Sequence, residues 1–297
     1  MAISRMTQSM MLDRSYLTLQ TVQGRLAKTQ EQLTTGRVLN RPSDSPTGTS
    51  SAMRIRASIA DETQYQRNAQ DGLGWLGQID SALTSSLDQL RRARDLGVQG
   101  VNATNAGNAA REALASEVEQ VRESLLGVAN TTYLGRPVFG GVTSGTAAYD
   151  LTTGTFVGQE GDVKRTIAKD VKVAVNVDGP DVFGPDGDNL FDSLGRLATA
   201  LRAGDTPAIR GELDALDLAQ KRITSVVSDA GTRYNRVERA ETAAANSVFD
   251  LTTSLSGIEE VDLAKATISL TAQEVAYQAA LSATARLVQP SLSDFLR

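Results

Sequence analysis

Leucine recurs every seven residues from Leu12 through Leu19 and Leu26 to Leu33, with Val22 at a compatible step between them, so the chain opens with a heptad seam. The spacing predicts a helix over about 4–35. Its companion row is poor, with Ser15 and Thr29 on one side and Gln23 and Gln30 on the other. A stripe this thin does not hold a lone helix together in water, so the helix needs a partner from the same chain or from another copy. Gly36 is placed to end it as the first residue past the helix. Pro42 and Pro46 forbid its continuation, and Ser45 followed by Pro46 supplies a cap and first-turn proline for the next helix.

That second helix is expected from 46 to about 100, with Leu73, Leu76, Leu83, Leu87 and Leu90 as its apolar register. Trp75 and Ile79 widen the stripe and Asp80 interrupts it. A turn at 102–107 leads to a third helix carrying Leu114, Val118, Val121 and Leu125, which the run Gly135–Gly141 stops. From there to about Asp188 the chain is rich in Gly, Asp, Thr and Val. Val171, Val173, Val175 and Val177 alternate with Lys172, Ala174 and Asn176, the period of a strand with one buried face. Helical spacing returns at Leu190, Leu194, Leu197 and Leu201. Asp205-Thr206-Pro207 then starts a long helix over about 207–255, with Ser256-Gly257 as its break. The last helix, about 258–288, carries one heptad row of Val261, Ile268 and Val275 and a neighbouring row of Leu263, Leu270 and Tyr277, with Leu281 further along. Pro290 ends it, and Leu292, Phe295 and Leu296 mark an amphipathic tail.

The plan is palindromic: helix, long helices, β insert, long helix, helix. A chain that leaves and returns this way pairs its termini along one axis. The expected fold is mainly α, a long helical bundle and coiled coil formed by paired N- and C-terminal regions, with a small β-rich insert in the middle. The expected parts are 1–40 with 256–297 as a terminal coiled coil, 41–141 with 189–255 as a long-helix bundle, and 142–188 as the insert.

Composition narrows the chemistry. Hydrophobic residues make up 40% of the 297, aromatic ones only 4%, which suits helices packed through small and aliphatic side chains. The formal charge of −5 does not favour a nucleic acid, and clusters such as Arg91-Arg92-Ala93-Arg94 read as solvated helix faces. With no Cys and no His there is no disulfide, thiolate or imidazole chemistry. Asp61-Glu62 and Glu259-Glu260 are adjacent on helices and do not face one another as an acid–base pair requires. The aspartates of 178–188 lack the spacing and closing Glu of a calcium loop, and the glycine clusters lack a phosphate-loop lysine. No metal, cofactor or catalytic site is expected. No apolar run approaches the length of a membrane span, and the N-terminus lacks the apolar core of a cleavable signal.

Several phrases carry a resemblance. Gln30–Asp44 reads QEQLTTGRVLNRPSD, followed by the Arg41-Pro42-Ser43-Asp44-Ser45-Pro46 run. Further along stand Gln64-Tyr65-Gln66-Arg67-Asn68, Arg92-Ala93-Arg94-Asp95-Leu96, Leu126-Gly127-Val128-Ala129-Asn130-Thr131 and Gly135-Arg136-Pro137-Val138-Phe139-Gly140-Gly141. Near the end come Glu259-Glu260-Val261-Asp262-Leu263-Ala264, Ala276-Tyr277-Gln278-Ala279-Ala280-Leu281 and Ser291–Leu296. Over about 1–141 and 189–297 the chain resembles the bacterial flagellin family. The loop Arg41, Pro42, Ser43, Asp44, Pro46 and the exit Phe139, Gly140, Gly141 resemble its hook–filament junction branch more than the filament subunits.

The resemblance implies a structural subunit exported through the flagellar type III apparatus without signal cleavage and held beforehand by a cytoplasmic export chaperone. It implies self-assembly as a helical ring seated on hook-associated protein 1 and supporting flagellin, with the terminal helices on the inside. The residues expected at subunit interfaces are Leu12, Leu19, Val22, Leu26, Leu33, Val261, Leu263, Ile268, Leu270, Val275, Tyr277, Leu281, Leu292, Phe295 and Leu296. The alternatives are a filament-building flagellin, a cytoplasmic coiled-coil scaffold and, third, an enzyme, for which no nucleophile stands out.

Overall fold

The computed structural model describes residues 8–102 and 107–288. Its helices are α1 (Gln8–Thr35), α2 (Pro46–Asn102), α3 (Asn108–Ala129), the one-turn α4 (Gly179–Phe183), α5 (Leu190–Ala203), α6 (Thr206–Glu259) and α7 (Leu263–Val288). Two short antiparallel hairpins complete it: β1 (Thr132–Tyr133) with β2 (Arg136–Pro137), and β3 (Lys164–Ala168) with β4 (Val171–Ala174). The mainly α architecture with a small β insert is the one the periodicity predicts. The chain packs as two compact units, one drawn from 1–60 and 249–297, the other from 61–248.

The larger unit holds a continuous core. Along α2 the buried positions are Trp75, Leu76, Ile79, Ala82, Leu83, Leu90, Ala93 and Leu96, at the three-and-four spacing of one helix face. Asp80, the irregularity in the predicted stripe, is exposed, because the buried face runs through 79, 82 and 83 and leaves 80 beside it. Gly97 and Gly100 let other helices approach this face. A Cβ on Gly97 would stand 2.7 Å from Leu213 Cδ2, and one on Gly100 would collide with Leu201 Cδ2. Helix α5 starts on a reciprocal cap in which Asn189 accepts from the Asp192 N–H at 2.9 Å and Asp192 accepts in return.

The segment 142–188, expected as a part of its own, shares this core. Tyr149, Phe183 and Phe191 are fully buried with Phe139, their ring centroids 5.1–5.6 Å apart and mostly edge to face. Asn130, just past α3, fastens the segment: its Oδ1 accepts from the N–H groups of Ala148 and Tyr149, both at 2.8 Å, and its Nδ2 donates to the Tyr149 carbonyl at 2.9 Å. The predicted strand is shorter than its alternation. β4 ends at Ala174, and Asn176, expected to face solvent, is buried. There it accepts from Val163 N–H at 2.7 Å and donates to the Gly161 carbonyl at 2.7 Å, so its polar atoms are satisfied.

In the smaller unit α1 and α7 lie antiparallel. Gly36 takes the left-handed conformation (φ 70°) just past α1, as expected for its place in the sequence. Ser45 caps α2, accepting from Gly48 N–H at 3.1 Å. The predicted break at Ser256-Gly257 is not there. α6 continues to Glu259 and the chain turns at 260–262, where Asp262 caps α7 by accepting from Lys265 N–H at 3.0 Å. The stop is tertiary in origin. Val38 N–H donates to the Glu259 carbonyl at 2.7 Å and Val261 N–H donates to the Gly36 carbonyl at 3.0 Å, which draws the backbone out of the helix. No helix among the described residues is long and apolar enough to cross a membrane.

Candidate assembly surface

The paired helices α1 and α7 close a thin seam. On α1 the positions facing α7 are Ser15, Leu19, Val22, Leu26, Thr29 and Leu33, of which Thr29 alone is buried and the rest are half-buried. On α7 they are Ala266, Leu270, Gln273, Tyr277 and Ala280. The weak row foreseen at Ser15 and Thr29 is one side of this seam. Thr29 Oγ1 donates to Gln273 Oε1 at 3.0 Å, so a polar pair sits where a larger core would place two apolar side chains. Such a layer weakens a helix pair while fixing its register.

The expected interface residues therefore divide. Leu19, Val22, Leu26, Leu33, Leu270 and Tyr277 are half-buried in the seam. Ile268 is 72% exposed, Val275 62%, Leu263 59% and Leu281 43%. Val261 does not share a helical row with Ile268 and Val275, because it lies in the turn before α7 and pairs with Gly36 through its backbone. Leu12 lies within α1 with its side chain outside those described, and Leu292, Phe295 and Leu296 fall outside the described residues.

The Arg41–Pro46 loop is a latch on this seam. Asp44 accepts from Lys28 Nζ at 2.9 Å and from the backbone N–H groups of Arg41 at 2.9 Å and Asn40 at 3.2 Å. These bonds, led by Lys28, hold the carboxyl below its ordinary range. Arg41 reaches Glu31 at 3.3 Å, whereas Pro42, Ser43 and Pro46 are exposed. Behind the latch, Arg56 Nη2 donates to Glu259 Oε2 at 2.8 Å, and Glu259 is the one buried charged residue among the described residues. Periodicity had no signal for this pair, since its members stand 203 positions apart.

Phe139, Gly140 and Gly141 belong to the larger unit and are buried. Phe139 O accepts from Gly179 N–H at 2.9 Å, and Gly140 O accepts from Gln159 N–H at 3.2 Å. At Gly141 (φ 64°) a Cβ would collide with the Gln159 carbonyl oxygen. The phrase is a core fastener. Among the described residues no group of three or more carboxylates is placed to hold a metal ion.

The model of the bacterial flagellin N-terminal helical region matches residues 6–143, and that of the C-terminal helical region matches 213–296. This chain belongs to the bacterial flagellin family. As a member it is a structural component of the flagellum. Flagellar hook-associated protein 3 of Escherichia coli K12 is 25% identical, the match spanning 94% of this chain and 95% of that one. A flagellin of Bacillus subtilis 168 is 26% identical over 88% of this chain and 89% of its own. The flagellin-family fold recurs in a solved putative flagellar hook-associated protein from Vibrio parahaemolyticus, with a TM-score of 0.67 at 19% identity, covering 73% of this chain and all of that one. It recurs also in Bacillus cereus FlgL, with a TM-score of 0.60 at 24% identity over 68% of this chain and 99% of that one. In flagellin-family terms, the sequence phrases at 30–46 and 259–281 are the two flanks of the latch and seam.

Proposed function

We propose that this chain is the structural adaptor between hook and filament of the bacterial flagellum, seating on hook-associated protein 1 and carrying flagellin above it. The observation that carries this reading is the smaller unit, where two long helices share a seam with a polar centre and leave apolar side chains in water. A monomer gains little from that arrangement. An assembly gains from it, because each exposed aliphatic side chain covered by a neighbour contributes roughly 1.5–3 kcal/mol when fully buried. Hook-associated protein 3 matches along nearly the full length of both chains, in keeping with the junction reading. Export through the flagellar type III apparatus and a cytoplasmic chaperone for the terminal helices belong to the same proposal.

Deletion of the gene tests it. Cells should build normal hooks and release unattached flagellin into the medium. Filaments still anchored to hooks in that strain would refute the junction role. The flagellin match favours a second reading, a filament subunit. That reading requires the chain to be the abundant species in sheared filaments, whereas a junction protein should be a trace component.

A further inference from the structure

The seam accounts for one face of each terminal helix, and the opposite face is not polar. On α1, Met10 and Leu17 are each 60% exposed and stand seven residues apart. Counted by heptads from Ser15, Leu19, Val22 and Leu26, they point directly away from α7. On α7, Ile268 and Val275 are 72% and 62% exposed, again seven apart, and point directly away from Ala266, Leu270, Gln273 and Tyr277. Solvent-facing rows of a helix pair are ordinarily polar. Many neighbouring outer positions are polar, Asp13, Arg14, Gln20 and Thr21 on α1 and Thr271 and Gln278 on α7, while Tyr16, 64% exposed, widens the row at Leu17 and the small Ala272 and Ala279 flank Val275, so each apolar row is a second seam.

The two second seams sit at different heights. Thr29 and Gln273 are level, which puts Leu17 opposite a position near 285. The outward pairs are therefore centred roughly 17 residues, or about 25 Å, apart along the axis. They lie on opposite outer faces and cannot meet within one molecule.

We propose that these rows are the two halves of one contact between copies: Met10 and Leu17 of one molecule pack on Val275 and Ile268 of the next. This rests on the reading of the chain as a flagellar subunit and names the register it uses. Three features select it. Equal seven-residue spacing lets Met10 meet Val275 while Leu17 meets Ile268. Copies stacked in one orientation bring α1 of one antiparallel to α7 of the next, the sense of the intramolecular seam. Each contact leaves one row free at either end, so the association is heterologous and stays open, stepping about 25 Å per copy. A two-fold contact of the α1 row with itself would reverse the polarity that a junction between unlike neighbours needs.

The chain has no cysteine, which makes the register directly readable. Full-length Leu17→Cys and Ile268→Cys chains are co-expressed in cells lacking their own copy, and isolated hooks are oxidised. The expected product is a mixed dimer with one chain of each kind, absent when either is expressed alone. Met10→Cys with Val275→Cys should give the same result. Met10→Cys with Ile268→Cys should not, because a disulfide needs Cα atoms within about 7 Å and this pairing is off by two helical turns. A predominance of Leu17→Cys homodimers, or assembled hooks without mixed dimers, would overturn the register while leaving the flagellar reading intact. Wild-type chain absent from hooks would overturn both.

Discussion

Neighbouring positions on α7 should respond oppositely to the same mutation. Ile268 is 72% exposed in the isolated chain, and Leu270, two residues on, is half-buried against α1. Ile268→Gln removes apolar surface that the monomer leaves in water, so monomer stability should change by no more than about 0.5 kcal/mol. In an assembly that covers it, the still-exposed part of Ile268 is worth about 1–2 kcal/mol at the usual value for burying an aliphatic side chain. At about 1.4 kcal/mol per factor of ten, incorporation should weaken by roughly 5–30-fold. Leu270→Gln removes surface already buried, so it should lower the helicity and melting temperature of the monomer by about 1–2 kcal/mol of seam energy. Far-UV circular dichroism of purified chains reads the monomer, and competition between wild-type and variant chains for incorporation at hook tips reads the assembly. The reasoning fails if Ile268→Gln destabilises the monomer as much as Leu270→Gln does, or if it competes on equal terms with wild type.

Three further outcomes follow from local geometry. Gly100→Ala should destabilise the larger unit by up to about 2 kcal/mol in chemical denaturation: overpacking against buried Leu201 costs about 1–3 kcal/mol and improved helix propensity returns about 1. Gly211→Ala, with open space around its Cβ, should instead stabilise by about 0.4–1 kcal/mol. Asn130→Ala strips the backbone N–H groups of Ala148 and Tyr149 of their acceptor and should cost about 1–3 kcal/mol in the same assay. For Asp44, a carboxyl held below its ordinary value of 3.8 stabilises the latch above that value and loses its contribution as pH falls through the lower folded one. The amide resonances of Asn40 and Arg41 should therefore titrate with a midpoint below 3.8, and Asp44→Asn should abolish that titration.

Helices were legible because their signal is local and repeated. The cap at Ser45, the stop at Gly36 and the starts near 46, 190 and 206 each depend on a few adjacent residues. The end of α6 was misplaced because Gly257 is tolerated inside a helix, while the actual stop comes from backbone pairing between segments more than 200 positions apart. The aromatic core around Tyr149 and Phe183 left no trace, since five rings scattered over 139–191 have no period. Apolar rows at both termini were readable, yet heptad spacing alone gave no means of telling the inward row, Leu270 and Tyr277, from the outward one, Ile268 and Val275. Val261 shows the same limit, falling in phase by count and outside the helix in fact.

The contrast between the units bears on function. The larger unit closes a core of its own, with buried aromatic rings, capped helices and a bonded Asn176, although the buried Tyr149 hydroxyl finds no partner there. The smaller one leaves Met10, Leu17, Ile268 and Val275 in water and spends its most buried α1 position on a threonine. Replacing Thr29 and Gln273 with leucine and isoleucine should tighten the seam, raising the melting temperature of the smaller unit. The same change removes the hydrogen bond that pins one helix against the other, and with it the fixed height difference between the two outward rows. A seam free to slip by a heptad would present those rows at variable spacing, so the more stable monomer should assemble less well. Equal or better assembly by the apolar variant would mean that the polar layer does not set the register.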